Sequence, residues 1–281
     1  MNRRSFPRLL TVCALALPLL AGAQTPTKPL RLVVPFPAGG ATDLLARSLA
    51  QRLGQGLGTT VVVENRAGAG GTLGSAEVAK AAPDGNTLLL STSSTHAIGS
   101  HLNTNLPYKA LGPDMDFTPI AHVASEAFKA QAGLFITHIP YRGTALSIPD
   151  LVSGKVHLLF DSVVSGMPHV KDGKLKALAV TSATRSALAP ELPTVAESGL
   201  PGFVSSTWFG IYAPKGLPAD MSARLNAEIN AALKSVDVQE RFARLGAEPA
   251  PANTPAQFAA MVAADSARWA SIIKDRKITI E

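Results

Sequence analysis

The chain has 281 residues, 46% hydrophobic and 16% charged, with a formal net charge of +6. That length holds one large domain or two of ordinary size, in a composition ordinary for a globular protein. Three arginines fall in an N-terminal leader, so the remainder carries only +3, well short of the basic footprint of a nucleic-acid binder.

The leader MNRRSFPRLLTVCALALPLLAGAQ opens on Arg3, Arg4 and Arg8, runs apolar over 9–20 and reaches the small residues Ala21, Gly22 and Ala23. This pattern predicts a secretory signal peptide over 1–23, cut before Gln24. Arg3-Arg4-Ser5-Phe6 leaves general and twin-arginine export both open. The apolar run is too short to span a bilayer. Cys13, the only cysteine, lies mid-way through that run rather than at its end, which argues against a lipid anchor. The exported chain would hold no thiol, which excludes disulfides, zinc–thiolate sites and cysteine nucleophiles. Export without an anchor points to the periplasm.

Beyond the leader, LRLVVPF (30–36) reads as a buried strand, followed by a helix with Leu44, Leu45, Leu49 and Leu53 on one side. TTVVVEN (59–65) is a second strand, 76–82 a short helix, 83–86 a turn and TLLLS (87–91) a third strand. This βαβαβ order predicts an α/β fold with a parallel sheet covered on both faces. The second half repeats the style. FITHIPY (135–141) reads as a strand, then a helix containing Leu146 and Leu151 ends at Gly154. KVHLLFD (155–161), LKALAVTS (175–182) and WFGIYAP (208–214) read as strands. Pro218 opens a long helix to Leu233, and another over 254–275 starts with Thr254 as cap and Pro255 in its first turn.

Between the first strand and its helix stands Ala38-Gly39-Gly40-Ala41-Thr42-Asp43. Unpaired amides and the helix dipole make such a junction fit for a carboxylate or phosphate. A tight turn with Thr42 or Asp43 as cap explains the same residues. GAGGTLG (68–74) follows a strand and precedes a helix, but the next strand ends in hydroxyls, not in the acid a dinucleotide ribose needs. Those hydroxyls, STSSTH (91–96), sit where open α/β sheets bind ligands, and would donate to a carboxylate without adding charge. They also suit an ordinary loop. Asp161 ends a similar strand, where it would meet a ligand or cap the following helix. The six histidines lack metal-ligand spacing, and no GxSxG elbow is present.

LVVPFPAGGATDLLAR, VVVENRAGAGGTLGSAEVAKAAPDGNTLLLST, HIPYRGTA, DLVSGKVHLLFDSV, HVKDGKLKALAVTS, LPTVAESGLPGF and STWFGIYAPKGLP together resemble the Bug (TctC-like) substrate-binding proteins, periplasmic receptors of tripartite tricarboxylate transporters. The resemblance implies a two-domain, type II-like Venus-flytrap fold, with 27–125 plus 205–281 in one domain and 126–204 in the other. It implies a small carboxylate between them: a di- or tricarboxylate, an acidic amino acid or an aromatic acid. The implied ligand residues are Phe36, Pro37, Ala38, Gly39, Gly40, Thr42 and Asp43, then Ser91, Thr92, Ser93, Ser94 and Thr95, with Tyr141 and Asp161 from the second domain. No cofactor, metal or catalysis is implied. The partners would be the permease subunits, and the receptor itself a monomer.

One departure from the family matters. After Ser125, where relatives continue through a strand, a helix and a Gly/Ser-rich ligand loop, this chain passes at once into EAFKAQAGL. A few dozen residues are missing by this reading, so the second domain is expected to be shortened, with an exposed sheet edge. Three functions stay open: a carboxylate receptor, a deletion-bearing paralogue with impaired binding, and a periplasmic enzyme on a related fold.

Overall fold

A strand buried on both faces needs an apolar residue at every position, and LRLVV supplies the pattern. In the computed structural model, which describes residues 28–127 and 144–278 apart from 104, 162, 183, 187, 188, 202, 204, 205, 246 and 277, this run is β1 (Leu30–Val34). Leu32 and Val34 enter one apolar cluster and Val33 the other, as the two-residue repeat of a strand requires.

β1 lies parallel to both its neighbours, β2 (Val61–Asn65) and β3 (Thr87–Thr92). The crossovers run through α1 (Ala41–Leu57) and α2 (Thr72–Ala79). The second helix starts earlier than the apolar pattern predicts, because the glycine-rich turn leads straight into it. β4 (Phe117–Ala127) and β5 (Ser206–Pro214) join the sheet antiparallel, and β6 (Glu248–Pro249) closes its far edge. The resulting order is β2-β1-β3-β5-β4-β6. The α/β class expected from the sequence holds, with a mixed sheet in place of a parallel one.

The two faces are covered by different helices. Leu45, Leu49 and Leu53 of α1 pack with Leu225, Ile229 and Leu233 of α6 (Ala219–Lys234), and with Val238 and Phe242 of α7 (Val236–Arg244). On the opposite face, Val78 joins Leu89, Trp208, Tyr212, Phe258 and Val262, the last two from α8 (Pro255–Arg276). α8 begins as the sequence predicts. The Thr254 hydroxyl accepts the Gln257 amide at 3.1 Å, and the Gln257 side chain accepts the Thr254 amide at 2.9 Å. This reciprocal pair satisfies two donors that a bare helix end would leave open.

β4 and β5 remain paired to Ala127 and Ser206, so the segment between them leaves and re-enters the sheet along one ladder. Within it lie α4 (Thr144–Val152), closed by Gly154 at φ +78 as expected, and α5 (Val163–Lys171). The strands expected over 155–161 and 175–182 do not form. Only an isolated parallel bridge, Val180 to Thr194, is present there among the described residues. A strand is completed by its neighbour's hydrogen bonds, so a β-rich run without a partner ladder stays irregular. Leu158 and Leu178 are accordingly 39% and 62% exposed. The strand expected over 135–141 lies outside the described residues.

Candidate functional site

Parallel strands end on the same edge, so the segments after β1, β2 and β3 are brought together by topology alone. The chain switches sides between β1 and β3, and open α/β sheets take ligands at the carboxyl ends of strands at such a switch.

The first segment is Pro35 to Gly40. Gly39 sits at φ +83, a left-handed conformation that side chains resist. Gly40 is the N-cap of α1 and no side chain caps the helix, which corrects the expectation that Thr42 or Asp43 would. Asp43 instead reaches backwards. Its Oδ2 accepts the Gly39 amide at 2.9 Å, its Oδ1 accepts Asn65 Nδ2 at 3.0 Å, and Arg47 Nε bridges both oxygens at 3.0 Å. Asn65 Nδ2 also donates to the Phe36 carbonyl at 3.0 Å. Burial by itself would push the Asp43 carboxyl up, but the donors from Arg47, Gly39 and Asn65 outweigh it and hold it below the usual carboxylate range. Asp43 is therefore the strut of this loop, with its charge matched by Arg47. The first intrahelical bond is Leu44 N–H to the Gly40 carbonyl at 3.0 Å, so the amides of Ala41, Thr42 and Asp43 have no acceptor within the helix. Phe36 is partly buried, Pro37, Ala38 and Gly39 are exposed, and Thr42 is buried.

The third segment follows β3 through a wide π-helical turn at Ser94–Ile98 into the short α3 (Gly99–Leu102). Its hydroxyls are largely committed within the protein. Ser91 Oγ stands 2.7 Å from His96 Nδ1, Thr92 Oγ1 stands 2.7 Å from Ser94 Oγ, and Thr95 Oγ1 donates to the Gly70 carbonyl at 3.3 Å. The row of ligand donors imagined from the sequence thus shrinks, since Thr95 and one of the Thr92–Ser94 pair spend their protons locally. Ser93 is buried and Ser94 is exposed. His96 is fully buried, stacked 4.3 Å from Tyr212 and edge-on to Phe117 at 4.8 Å. Burial pushes its imidazole down to about 3, so the ring is neutral at physiological pH.

The second segment, GAGGTLG, reads from the sequence only as a dinucleotide loop and is set aside there. Gly68, Ala69, Gly70 and Gly71 all have positive φ, from +47 to +143. A Cβ on Gly71 would stand 2.8 Å from Thr95 Oγ1 and 3.4 Å from the Phe36 ring, so all three segments touch here. Arg47 and Asn65, which hold the first loop, were missed too. A signal for the glycines existed, since whatever follows a parallel strand must reach this edge; none existed for Asn65, whose partner is 22 positions away.

Asp161 lies beside α5, where a Cβ on Gly166 would stand 3.8 Å from its Oδ2. Tyr141 falls outside the described residues. Among those described, no group of His, Cys, Asp and Glu could hold a metal ion, and no helix is long and apolar enough to cross a membrane.

The fold is that of the periplasmic binding proteins. The structure of the periplasmic binding protein BugD superposes with a TM-score of 0.81 at 34% identity, over 91% of this chain and 100% of that one. MatC from Rhodopseudomonas palustris, solved with bound malate, gives a TM-score of 0.80 at 32% identity, over 88% and 99%. More narrowly, the chain belongs to the tripartite tricarboxylate transporter receptors, the TctC family, whose sequence model matches residues 45–125 and 113–278. Protein BugT of Bordetella pertussis is 37% identical over 296 positions, taking in 89% of this chain and 90% of BugT. Those positions outnumber the residues of this chain they take in, so a few dozen positions of BugT have no counterpart here. The two family matches meet at 113–125, beside the break read from the sequence after Ser125.

Proposed function

We propose that the protein is an exported receptor that captures a small carboxylate on the loops at the carboxyl edge of β1, β2 and β3. The observation that carries this reading is the meeting of Phe36, Gly71 and Thr95, with α1 opening on free amides a few residues after Phe36. Backbone donors at a helix start favour an anion without a cationic side chain. One ligand carboxylate is assigned to Gly39, Gly40 and Thr42 with the adjoining backbone, and hydroxyls of 91–95 complete the contact. Residues 27–125 with 205–281 form the binding domain in this reading. The shortened domain, 126–204, supplies Tyr141 and Asp161 when it closes. The ligand then passes to membrane permease subunits, and no catalysis takes place. Malate in the related MatC sets the size of the first ligands to try.

The exposed Leu158 and Leu178, with no strand at either place, favour a second reading in which closure is impaired and binding is weak or lost. A thermal melt with and without malate, longer dicarboxylates, citrate, glutamate and nicotinate separates the two. A ligand at 100 times its Kd stabilises by about 2.7 kcal/mol. A cooperative melt raised by one acid supports the receptor. A broad melt that no acid moves rules it out in favour of the impaired form.

A further inference from the structure

Next to the first loop, α1 and α7 flank a shallow, open cleft of about 260 Å³ lined by Leu44, Arg47, Ser48, Arg241, Arg244 and Leu245. Leu44 and Leu245 supply its apolar lining, and three arginines share it. The charges around it are unevenly matched. Arg47 pairs with Asp43 at 3.0 Å and the nearby Arg52 with Asp237 at 2.8 Å. Among the described residues, Arg244 has only Glu240 at 4.0 Å, the limit of an ion pair, and Arg241 donates to the neutral Gln51 at 3.4 Å. Cationic charge therefore remains in the cleft beside its apolar lining.

We infer that this cleft docks an acidic segment of a partner protein, one apolar side chain on Leu44 and Leu245 with flanking carboxylates on Arg241 and Arg244. Charge complementarity selects that occupant, since guanidinium groups bind carboxylates through paired hydrogen bonds. A lipid surface fits less well: with Arg47 and Arg52 already paired to Asp43 and Asp237, Arg241 and Arg244 fall short of the larger basic cluster a membrane surface takes.

Docking reaches the loop edge through one side chain. Arg47 lines the cleft and also holds the Asp43 carboxylate that fixes Gly39. A partner carboxylate that draws Arg47 outwards leaves Asp43 with fewer donors and loosens the first loop. Given the proposed function, on which this step rests, partner binding favours ligand release.

The test uses the fluorescein-labelled peptide Asp-Glu-Leu-Asp-Glu, the protein and its Arg241→Glu/Arg244→Glu variant, followed by fluorescence anisotropy. The expected result is binding that weakens roughly tenfold or more on charge reversal and falls with added salt. Amide exchange over 39–44 should also quicken when peptide binds, a readout that needs no carboxylate ligand. Absence of peptide binding, or equal binding by the variant, overturns the docking site. So does capture by phosphatidylglycerol vesicles without capture of peptide. Binding with unchanged exchange at 39–44 overturns the coupling. Both arginines stand at the helix surface; should the double variant melt early, Arg244→Gln with the same salt series decides.

Discussion

Asp43 is 2% exposed and receives donors from Gly39, Asn65 and Arg47. Removing it takes the acceptor from the Gly39 amide and from Arg47 and one of two acceptors from Asn65, each hydrogen bond being worth about 0.5–1.5 kcal/mol net. Asp43→Ala is thus expected to lower the melting temperature by several degrees, and to weaken carboxylate binding because the first loop loses its anchor. Its folded-state pKa is depressed, so this stabilisation is present at neutral pH and disappears as pH falls below 3.8 through the depressed value. The adjacent glycines separate conformation from contact. Gly39 at φ +83 should cost about 1 kcal/mol when replaced by alanine. Gly40, at φ −79, has only the Pro37 carbonyl 3.6 Å from a Cβ, so nothing in the fold crowds a side chain there. Gly40→Val should keep a cooperative melt yet reduce ligand affinity, measured by calorimetry. Unchanged affinity would remove the cradle from the first loop.

At the scale of elements, β5 and α8 meet through one absent side chain. A Cβ on Gly210 would overlap the Phe258 ring, itself 1% exposed. Gly210→Ala must displace that ring and α8 with it, at about 1–3 kcal/mol. A denaturation midpoint unchanged by the substitution would show that α8 packs otherwise. Helices and buried strands of this sheet were legible in the sequence because each carries its own period: Leu45, Leu49 and Leu53 on α1, the unbroken run of β1, the Thr254 cap of α8. KVHLLFD and LKALAVTS carry equally strong β patterns and form no strand. The difference lies outside them: among the described residues, no neighbouring strand forms a ladder with either run. Local preference proposes a strand; a partner ladder makes it.

For the whole molecule, the buried His96 gives acid sensitivity. Its folded pKa of about 3 lies below the ordinary 6.5, so the unfolded chain takes up the proton first. Stability should therefore be full above pH 6.5 and fall by roughly 1.4 kcal/mol per unit as pH drops towards 3. His122, also pushed down by burial, adds a share of the same sign. His96→Gln should flatten the loss between pH 7 and 4, read from urea midpoints. An unaltered slope would place the titrating group elsewhere. The sequence by itself determined the family, the α/β class, the covered sheet and two of the three loops at its edge, because each is written in contiguous residues. Only the tertiary structure decided that Asp43 looks back to Gly39, that Asn65 and Arg47 complete its shell, and that Gly71 meets Thr95 and Phe36. It also set Arg47 between that shell and the α1–α7 cleft. Those contacts join residues far apart in the chain, and their partners are fixed only when strand order and helix packing bring them within hydrogen-bond reach.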